Sequence, residues 1–227
     1  MAARLARLNQ AVAQACTVAG RAPGDVAILP VSKTFPVEQI RQAQALGFAR
    51  FGENRLQEIR QKGEVMVEHP PAWVVIGPVQ TNKAKDVVRW AAELQTLDRL
   101  ELAEALDRRL QSEGRALDVL VQVKTAAEAS KHGLAPDQLD DFLRTVSSRF
   151  ETLRVRGLMT VATQSEDRDV VRACFVQLRQ LRDQARHACQ GDHDLARLSM
   201  GMSGDFDLAI AEGATEIRIG SALFGQR

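Results

Sequence analysis

The chain has 227 residues, of which 45% are hydrophobic, and its formal net charge is +1. This length predicts one domain with a sizeable core, which we expect to span residues 1–227. The balanced charge argues against a nucleic-acid-binding surface, and no apolar run approaches the roughly 18 residues of a membrane-spanning helix, so we expect neither nucleic acid nor membrane among the partners.

The N-terminal segment MAARLARLNQAVAQACTVAGR predicts an amphipathic helix. Leu5, Leu8 and Val12 fall on one face, and Gly20 is a typical helix stop. The segment carries arginine and alanine but no acidic residue, which is also the composition of a transit peptide. We favour a native helix that precedes the first strand.

Short apolar runs then alternate with longer helical patterns. The eight strand candidates are AILPVSK, ARFGEN, AWVVIGP, ELQTLD, LDVLVQVK, LRVRGLMTV, RLSMGM and EIRIGSALFG. Strand–helix alternation predicts parallel βαβ units, and eight of them predict an α/β fold, a single (β/α)8 barrel of the TIM type with an extra N-terminal helix. The alternative, an open doubly wound sheet, needs a glycine-rich phosphate turn after the first strand. This chain has Ser-Lys-Thr-Phe-Pro there.

Lys33 ends the first strand, and Pro36 prevents the strand from continuing. In such barrels the active site lies at the carboxyl ends of the strands. Burial lowers the pKa of an ammonium group and yields an amine that attacks carbonyls. Lys33 could therefore form a Schiff base with a carbonyl substrate, as in aldolases, or with the aldehyde of pyridoxal phosphate. An ion pair with an acid such as Glu53, or a side chain that reaches solvent, is the alternative.

Small and hydroxyl residues follow the last two predicted strands. They are Ser199, Gly201, Ser203, Gly204, Gly220 and Ser221. The first four precede a helix that we expect to begin near Asp205, and backbone N–H groups at such a position favour an anion. The loops after strands seven and eight are the usual phosphate site of barrels. A helix capped by Ser203 without any ligand is the alternative.

Arg218 lies two residues before Gly220, and strand alternation directs both residues to one side. An arginine inside the barrel could hydrogen-bond a ring nitrogen of a cofactor. Because it keeps its proton, it would leave a pyridine nitrogen unprotonated and weaken the ring as an electron sink. A structural salt bridge with Glu216 or Glu53 is the alternative.

Seven stretches, spread almost end to end, resemble one known family. They are AGRAPGDVAILPVSKTFPVEQI, FGENRLQE, IGPVQTNKAK, LQTLDR, ASKHGL, RGLMTVAT and LSMGMSGDFDLAIAEGATEIRIGSALFGQR. On these stretches the sequence resembles the pyridoxal phosphate homeostasis proteins, the proline-synthase-co-transcribed family, which share a barrel with the N-terminal domain of alanine racemase. The resemblance implies pyridoxal 5'-phosphate as cofactor, held covalently as an aldimine on Lys33.

The resemblance also implies the other contacts of the cofactor. The phosphate would be held by Ser199, Gly220 and Ser221, with backbone groups around Met202 and Ser203. Arg218 would face the pyridine nitrogen. The ring and the aldehyde side would be lined by Asn54, Ile76 and Met159.

Three places depart from the usual pattern of the family. Arg55 replaces a tyrosine, Val74 and Val75 replace His-Phe, and Lys124 replaces an asparagine at the end of strand five. These changes bear on the amino-acid side of the pocket and on any transfer surface, whereas the lysine and phosphate elements are intact. Lys124 adds a second strand-end amine, for which a solvated charge at the barrel rim is the plainer interpretation.

The family resemblance implies a carrier without catalytic turnover, which buffers the cofactor in vitamin B6 homeostasis or delivers it to pyridoxal-phosphate-dependent apo-enzymes. A racemase-like enzyme is the alternative, and it needs a second acid–base group, in racemases a tyrosine of a second domain. The chain has no tyrosine, and we expect no second domain after Arg227. His132 is the plausible substitute. An aldolase-like barrel that uses Lys33 with Asp98 does not explain Arg218.

The three cysteines, Cys16, Cys174 and Cys189, are odd in number and lack a metal-binding spacing. They are typical of reduced thiols in a cytoplasmic protein. Cys189 lies between His187 and His193, but the end of a long surface helix explains this cluster better than a metal site does. The sequence therefore predicts a cytoplasmic, monomeric protein without a metal.

Overall fold

The computed structural model describes residues 1–128, 131–188 and 195–226. Within these ranges eight parallel strands form one sheet. They are β1 (Ala27–Pro30), β2 (Arg50–Glu53), β3 (Ala72–Val75), β4 (Ala91–Leu97), β5 (Leu117–Gln122), β6 (Leu153–Met159), β7 (Arg197–Ser199) and β8 (Glu216–Ile219). The order is β1-β8-β7-β6-β5-β4-β3-β2, and a parallel bridge between Val31 and Gly52 joins the end of β1 to β2. The predicted (β/α)8 barrel is confirmed.

One helix precedes the barrel, and one follows each strand. The helices are α1 (Ala2–Val18), α2 (Val37–Ala45), α3 (Leu56–Val65), α4 (Ala84–Trp90), α5 (Leu100–Ser112), α6 (Leu139–Arg149), α7 (Arg168–Ala188), α8 (Phe206–Ala211) and α9 (Ser221–Phe224). The predicted N-terminal helix is confirmed as α1. It buries Leu8, Val12 and Cys16, and Gly20 beyond its end has a φ of 66°, a conformation that glycine adopts without strain.

The apolar core lies mainly between the barrel wall and the helices. Phe51, Leu94 and Phe175 are fully buried members of this continuous cluster. A second set of buried apolar side chains lies apart from it: Leu29, Val31, Val74, Leu120 and Met159. Their strand partners include charged residues, as in the pairs Leu29–Arg218 and Val74–Glu93. The inside of the barrel is therefore partly polar.

Four charged residues near the amino ends of the strands account for much of that polarity. Arg50 and Arg197 each bind both Glu93 and Glu216, with N–O distances of 2.7–3.0 Å. Gln95 donates to the same two carboxylates. Burial raises the pKa of Glu216, but the two guanidinium groups outweigh it and hold that pKa below its ordinary value. Both buried carboxylates are thus paired, as their burial requires.

None of the helices in the described ranges combines the length and the apolar character that crossing a bilayer demands. Cys16 and Cys174 are buried free thiols. Cys189 and His193 lie outside the described residues. In the part of the chain that the structure describes, no three histidine, cysteine or acidic side chains come together as a metal site.

Candidate functional site

Lys33 lies in the turn that follows β1, and its side chain is half-buried. The chain just before it is bound on both sides. Val31 donates its backbone N–H to Ile219 of β8 over 2.8 Å, and Ser32 donates to Gly52 of β2 over 3.0 Å. Lys33 is therefore at the carboxyl end of the barrel, between β8 and β2.

The alternative partner of Lys33, Glu53, faces the helix layer. Glu53 is fully buried and accepts hydrogen bonds from Ser32 Oγ over 2.7 Å and from Lys62 Nζ of α3 over 2.5 Å. Sequence reasoning did not identify Lys62. The available signal was its spacing of four residues from Glu58 on a helix, which brings the two side chains together.

Arg218 is buried in the barrel, with 4% of its surface exposed. Its guanidinium donates to the carbonyl oxygen of Ser199 (2.7 Å), to Ser199 Oγ (2.9 Å) and to the carbonyl oxygen of Thr160 (2.7 Å). Burial lowers the pKa of Arg218 to about 10, against the opposing effect of Glu216 and Asp205, so Arg218 is charged at neutral pH. In the described part of the chain no acid forms a salt bridge with it. These bonds use three of its five N–H donors.

Ser199 is fully buried at the end of β7. Its hydroxyl donates to Gln95 Oε1 over 2.8 Å and accepts from Arg218. The side chain thus supports the guanidinium from inside the barrel. A contact of Ser199 with a phosphate stays a prediction.

The loop between β7 and α8 exposes backbone donors. Helix α8 begins at Phe206 with Asp205 as its N-cap residue, two residues later than a cap at Ser203 would require. Asp205 accepts the backbone N–H of Met202 over 2.5 Å. No acceptor among the described residues binds the backbone N–H groups of Ser203 and Gly204. Of these two residues Gly204, together with the 41% exposed Met202, lines a cavity of about 590 Å³.

Gly220 and Ser221 begin the next loop, after β8. An ideal Cβ at Gly220 would lie 3.5 Å from the carbonyl oxygen of Val31, two residues before Lys33. Helix α9 begins at Ser221. The backbone N–H groups of Leu223 and Phe224 donate to the carbonyl oxygen of Gly220, whereas those of Ser221 and Ala222 have no acceptor among the described residues. Because β7, β8 and β1 are neighbours in the sheet, both loops lie beside the turn of Lys33.

The remaining predicted residues, Asn54, Ile76 and Met159, lie at the carboxyl end of the barrel, which forms its mouth, or inside the barrel. Asn54 is half-buried after β2, and Gly77 lies so close that a Cβ would be 2.1 Å from the carbonyl oxygen of Asn54. Ile76 packs its side chain towards Gly52 inside the barrel. Met159 is fully buried and pairs with Ser199 in the sheet. Met159 is thus the deepest of the three.

Of the departures from the family pattern, Arg55 lines a cavity at the carboxyl end of the barrel. A cavity of about 710 Å³ is lined by Asn54, Arg55, Asp98 and His132, among others. Arg55 and His132 are exposed at its rim. Val74 and Val75 are fully buried in β3, and Lys124 is half-buried after β5. Arg55 is therefore the departure that changes the charge of this cavity.

The sequence matches the model of the family "Alanine racemase, N-terminal domain" over residues 5–227. It is 38% identical over 227 residues to a pyridoxal phosphate homeostasis protein of Pseudomonas aeruginosa, covering all of this chain and 96% of that protein. Its fold is similar to that of PipY from Synechococcus elongatus, solved without and with pyridoxal phosphate. The TM-scores are 0.85 and 0.82 at 35% and 33% identity, and each match covers 94% of this chain and all of the other.

Proposed function

Because the chain belongs to the pyridoxal phosphate homeostasis family, with its alanine-racemase-type barrel, we propose that it binds pyridoxal 5'-phosphate and buffers or delivers the cofactor. One observation carries this proposal. A lysine, a buried arginine and two loops with unused backbone donors meet at the carboxyl ends of three neighbouring strands, β7, β8 and β1. A relative of the same fold binds this ligand.

The residues present fit the chemistry of the ligand. The phosphate would take the unused backbone N–H groups of Ser203, Gly204, Ser221 and Ala222, which suit an anion because they are fixed donors. Contacts from Ser199, Met202, Gly220 and Ser221 are part of the same proposal. An ideal Cβ at Gly204 would meet nothing within 4 Å, so the backbone there is open to approach.

Lys33 would hold the ligand covalently. Its Nζ, as a neutral amine, would attack the aldehyde carbon, and the two amine hydrogens would leave with the carbonyl oxygen as water, so that a C=N bond would replace C=O. Because this step is reversible through water or another amine, a carrier can release what it holds. Asn54, Ile76 and Met159 would bound the ring and the aldehyde side.

Arg218 would donate to the ring nitrogen. Two of its N–H groups are not used by Ser199 or Thr160, and with a pKa of about 10 it stays protonated at neutral pH. Bound pyridoxal phosphate supplies an aldehyde that captures amines and a ring that stores electrons. An arginine partner leaves the ring nitrogen unprotonated, so the ring accepts electrons less well. This favours a protein that holds the cofactor over one that uses it in catalysis.

We infer a carrier without turnover of its own, with pyridoxal-phosphate-dependent apo-enzymes as recipients. The absence of tyrosine from the sequence supports this against a racemase-like enzyme. The names of its relatives point the same way, since they refer to homeostasis rather than to catalysis. The exposed His132, which lines the same cavity as Asn54, is the group on which racemase-like activity would depend. The monomeric state and the cytoplasmic location stay predictions.

The test is an absorption spectrum of the purified protein with added pyridoxal phosphate, before and after borohydride, followed by peptide mapping. We expect a band near roughly 420 nm, typical of the imine of this cofactor, that reduction fixes onto Lys33. Lys33→Ala should abolish the band and the adduct, whereas Lys124→Ala, which removes the other strand-end amine, should keep both.

A wild-type protein that takes up no pyridoxal phosphate would overturn the proposal. An adduct on Lys124 in the wild-type protein would reassign the lysine. Steady interconversion of L- and D-alanine by the loaded protein, lost in Lys33→Ala, would favour the racemase-like alternative.

A further inference from the structure

Lys62 is a buried lysine outside the barrel, with 11% of its side chain exposed. Its ammonium group donates to the backbone carbonyl of Ser32 (2.8 Å), to Glu53 Oε1 (2.5 Å) and to Glu58 Oε2 (3.2 Å). An ammonium has three N–H donors, so each is matched by one oxygen. Lys62 is thus a filled hydrogen-bonding centre between α3 and the first two strands.

Lys62 and its two carboxylate partners also bind the residues that precede and follow Lys33 in the chain. On the N-terminal side, Ser32 contributes its carbonyl oxygen to Lys62 and its hydroxyl to Glu53. On the C-terminal side, Thr34 donates its backbone N–H to Glu58 Oε2 over 2.8 Å. The two residues that flank Lys33 in the chain are therefore connected through one cation.

The turn needs such support because Thr34 is in an unfavourable conformation. Its φ is 67°, in the left-handed region that a β-branched residue rarely adopts. Strain of this kind persists only where surrounding contacts impose it. Hydrogen bonds from the Thr34 N–H to a carboxylate and from the Phe35 N–H to the Ser32 carbonyl supply those contacts.

The charges in the cluster follow from its geometry. Burial raises the pKa of Glu58, but the Thr34 N–H and Lys62 outweigh it and hold that pKa below its ordinary value. Burial raises the pKa of Glu53 against the effect of Lys62 and Ser32, and Glu53 Oε2 has no hydrogen-bond partner among the described residues. Glu58 is therefore the ionised carboxylate that neutralises the charge of Lys62 next to the turn.

We propose that Lys62, acting through Glu58, Glu53 and Ser32, is a positioning residue that holds the strained turn at Thr34 and thereby presents Lys33 to the ligand site. This inference rests on the proposed function, in which Lys33 is the covalent anchor. Lys62 itself does not touch the ligand. It acts from the outer side of the barrel wall, through main-chain contacts on either side of Lys33.

The first test is amide hydrogen exchange without any ligand. Lys62→Met keeps the length of the side chain but removes its three donors. We expect the Thr34 amide to exchange at least about tenfold faster, because a charge-assisted hydrogen bond is lost or weakened. Amides in the centres of β4 and β5 should keep their protection. Lys85→Met, which changes an exposed lysine on α4, should leave Thr34 at the wild-type rate.

The second test is ligand affinity. Lys62→Met should bind pyridoxal phosphate about tenfold or more weakly and shift the pH midpoint of the 420 nm band, whereas a role confined to stability would leave both unchanged. Glu58→Gln keeps an acceptor for the Thr34 N–H and should lose less affinity than Glu58→Ala. In the Lys62→Met background, Thr34→Gly should restore part of the affinity, because glycine adopts a φ of 67° without strain.

Wild-type Thr34 exchange and wild-type affinity in a folded Lys62→Met protein would overturn the inference. If that variant does not fold, Glu58→Ala and Glu58→Gln are compared in its place, and equal Thr34 exchange in the two would overturn it. If the wild-type protein binds no pyridoxal phosphate, the proposed function fails, while the ligand-free exchange experiment still decides the role of Lys62 in the turn.

Discussion

At the scale of single residues, the loop after β7 depends on one glycine. Gly201 has a φ of 94°, and an added Cβ would lie 2.6 Å from the Cβ of Ala209. Its carbonyl oxygen accepts the backbone N–H of Arg218 over 3.0 Å. The same residue thus sets the course of the loop with the unused donors and binds the backbone of Arg218. Its pattern, small residues before a helix, was visible in the sequence, but the contact with Ala209 was not.

Gly201→Ala should lower the free energy of unfolding by about 1–3 kcal/mol, because it adds both backbone strain and a steric overlap. The measurement is urea unfolding followed by tryptophan fluorescence. Gly204→Ala is the matched control, since an ideal Cβ there meets nothing within 4 Å, and its stability should stay within about 0.5 kcal/mol of the wild type. Equal effects of the two substitutions would contradict this account of the loop.

At the scale of elements, α1 and the segment after it contact α8 and α9, the helices that follow the last two strands. Arg4 donates to the carbonyl oxygens of Leu223 (2.8 Å) and Phe224 (3.0 Å) in α9. Arg21, after α1, donates to those of Ile210 (2.9 Å) in α8 and of Ala214 (2.7 Å) between α8 and β8. Cations at helix carboxyl termini satisfy carbonyl groups that have no intrahelical partner. The extra helix thus anchors the two helices whose preceding loops carry the proposed phosphate donors.

Arg4→Met should therefore destabilise the fold by about 1.5–3 kcal/mol, the range for hydrogen bonds to a charged group. Arg7→Met changes an exposed arginine of the same helix, and its effect should stay within about 0.5 kcal/mol. Urea unfolding of the two variants in parallel measures the difference. If Arg4→Met is as stable as Arg7→Met, α1 does not anchor α9 through this side chain.

At the scale of the whole molecule, polar side chains run through the barrel from its amino end towards its mouth. Arg50 and Arg197 bind Glu93 and Glu216, Gln95 joins these carboxylates to Ser199, and Ser199 accepts from Arg218. Residues from β2, β4, β7 and β8 meet in this chain of contacts. Its members are buried or partly buried, so each depends on the others for its hydrogen bonds.

The network makes stability depend on pH with a definite sign. The pKa of Glu216 is lower in the folded protein than its ordinary value of 4.5. Ionised Glu216 therefore adds to the free energy of unfolding above pH 4.5, and this stabilisation is lost as the pH falls through the pKa that Glu216 has in the folded protein. Glu216→Gln should cost about 3–5 kcal/mol at neutral pH, because two arginines lose a buried partner. Between about pH 5 and about pH 3 the variant should then lose less stability than the wild type.

Glu64→Gln is the control for that measurement, because Glu64 forms an exposed pair with Arg60 at 3.9 Å. Its stability should differ from the wild type by no more than about 1 kcal/mol at any pH. The check is the free energy of unfolding in urea across the pH range. Parallel pH curves for Glu216→Gln and the wild type would show that Glu216 does not carry the acid sensitivity.

The sequence by itself determined the barrel, because alternation of apolar runs with amphipathic helices is a local property that covers the whole chain. It also located Lys33, Gly220 and Ser221 near the carboxyl ends of β1 and β8, because that location depends only on where strands end, whereas their contacts with a ligand stay predictions. The tertiary structure decided which side chains meet across strands and helices. Lys62 joins Ser32 and Glu58, and the hydroxyl of Ser199 turns to Arg218 and Gln95 instead of standing free. Such contacts join residues up to 220 positions apart, as between Arg4 and Phe224, and no spacing along the chain encodes them.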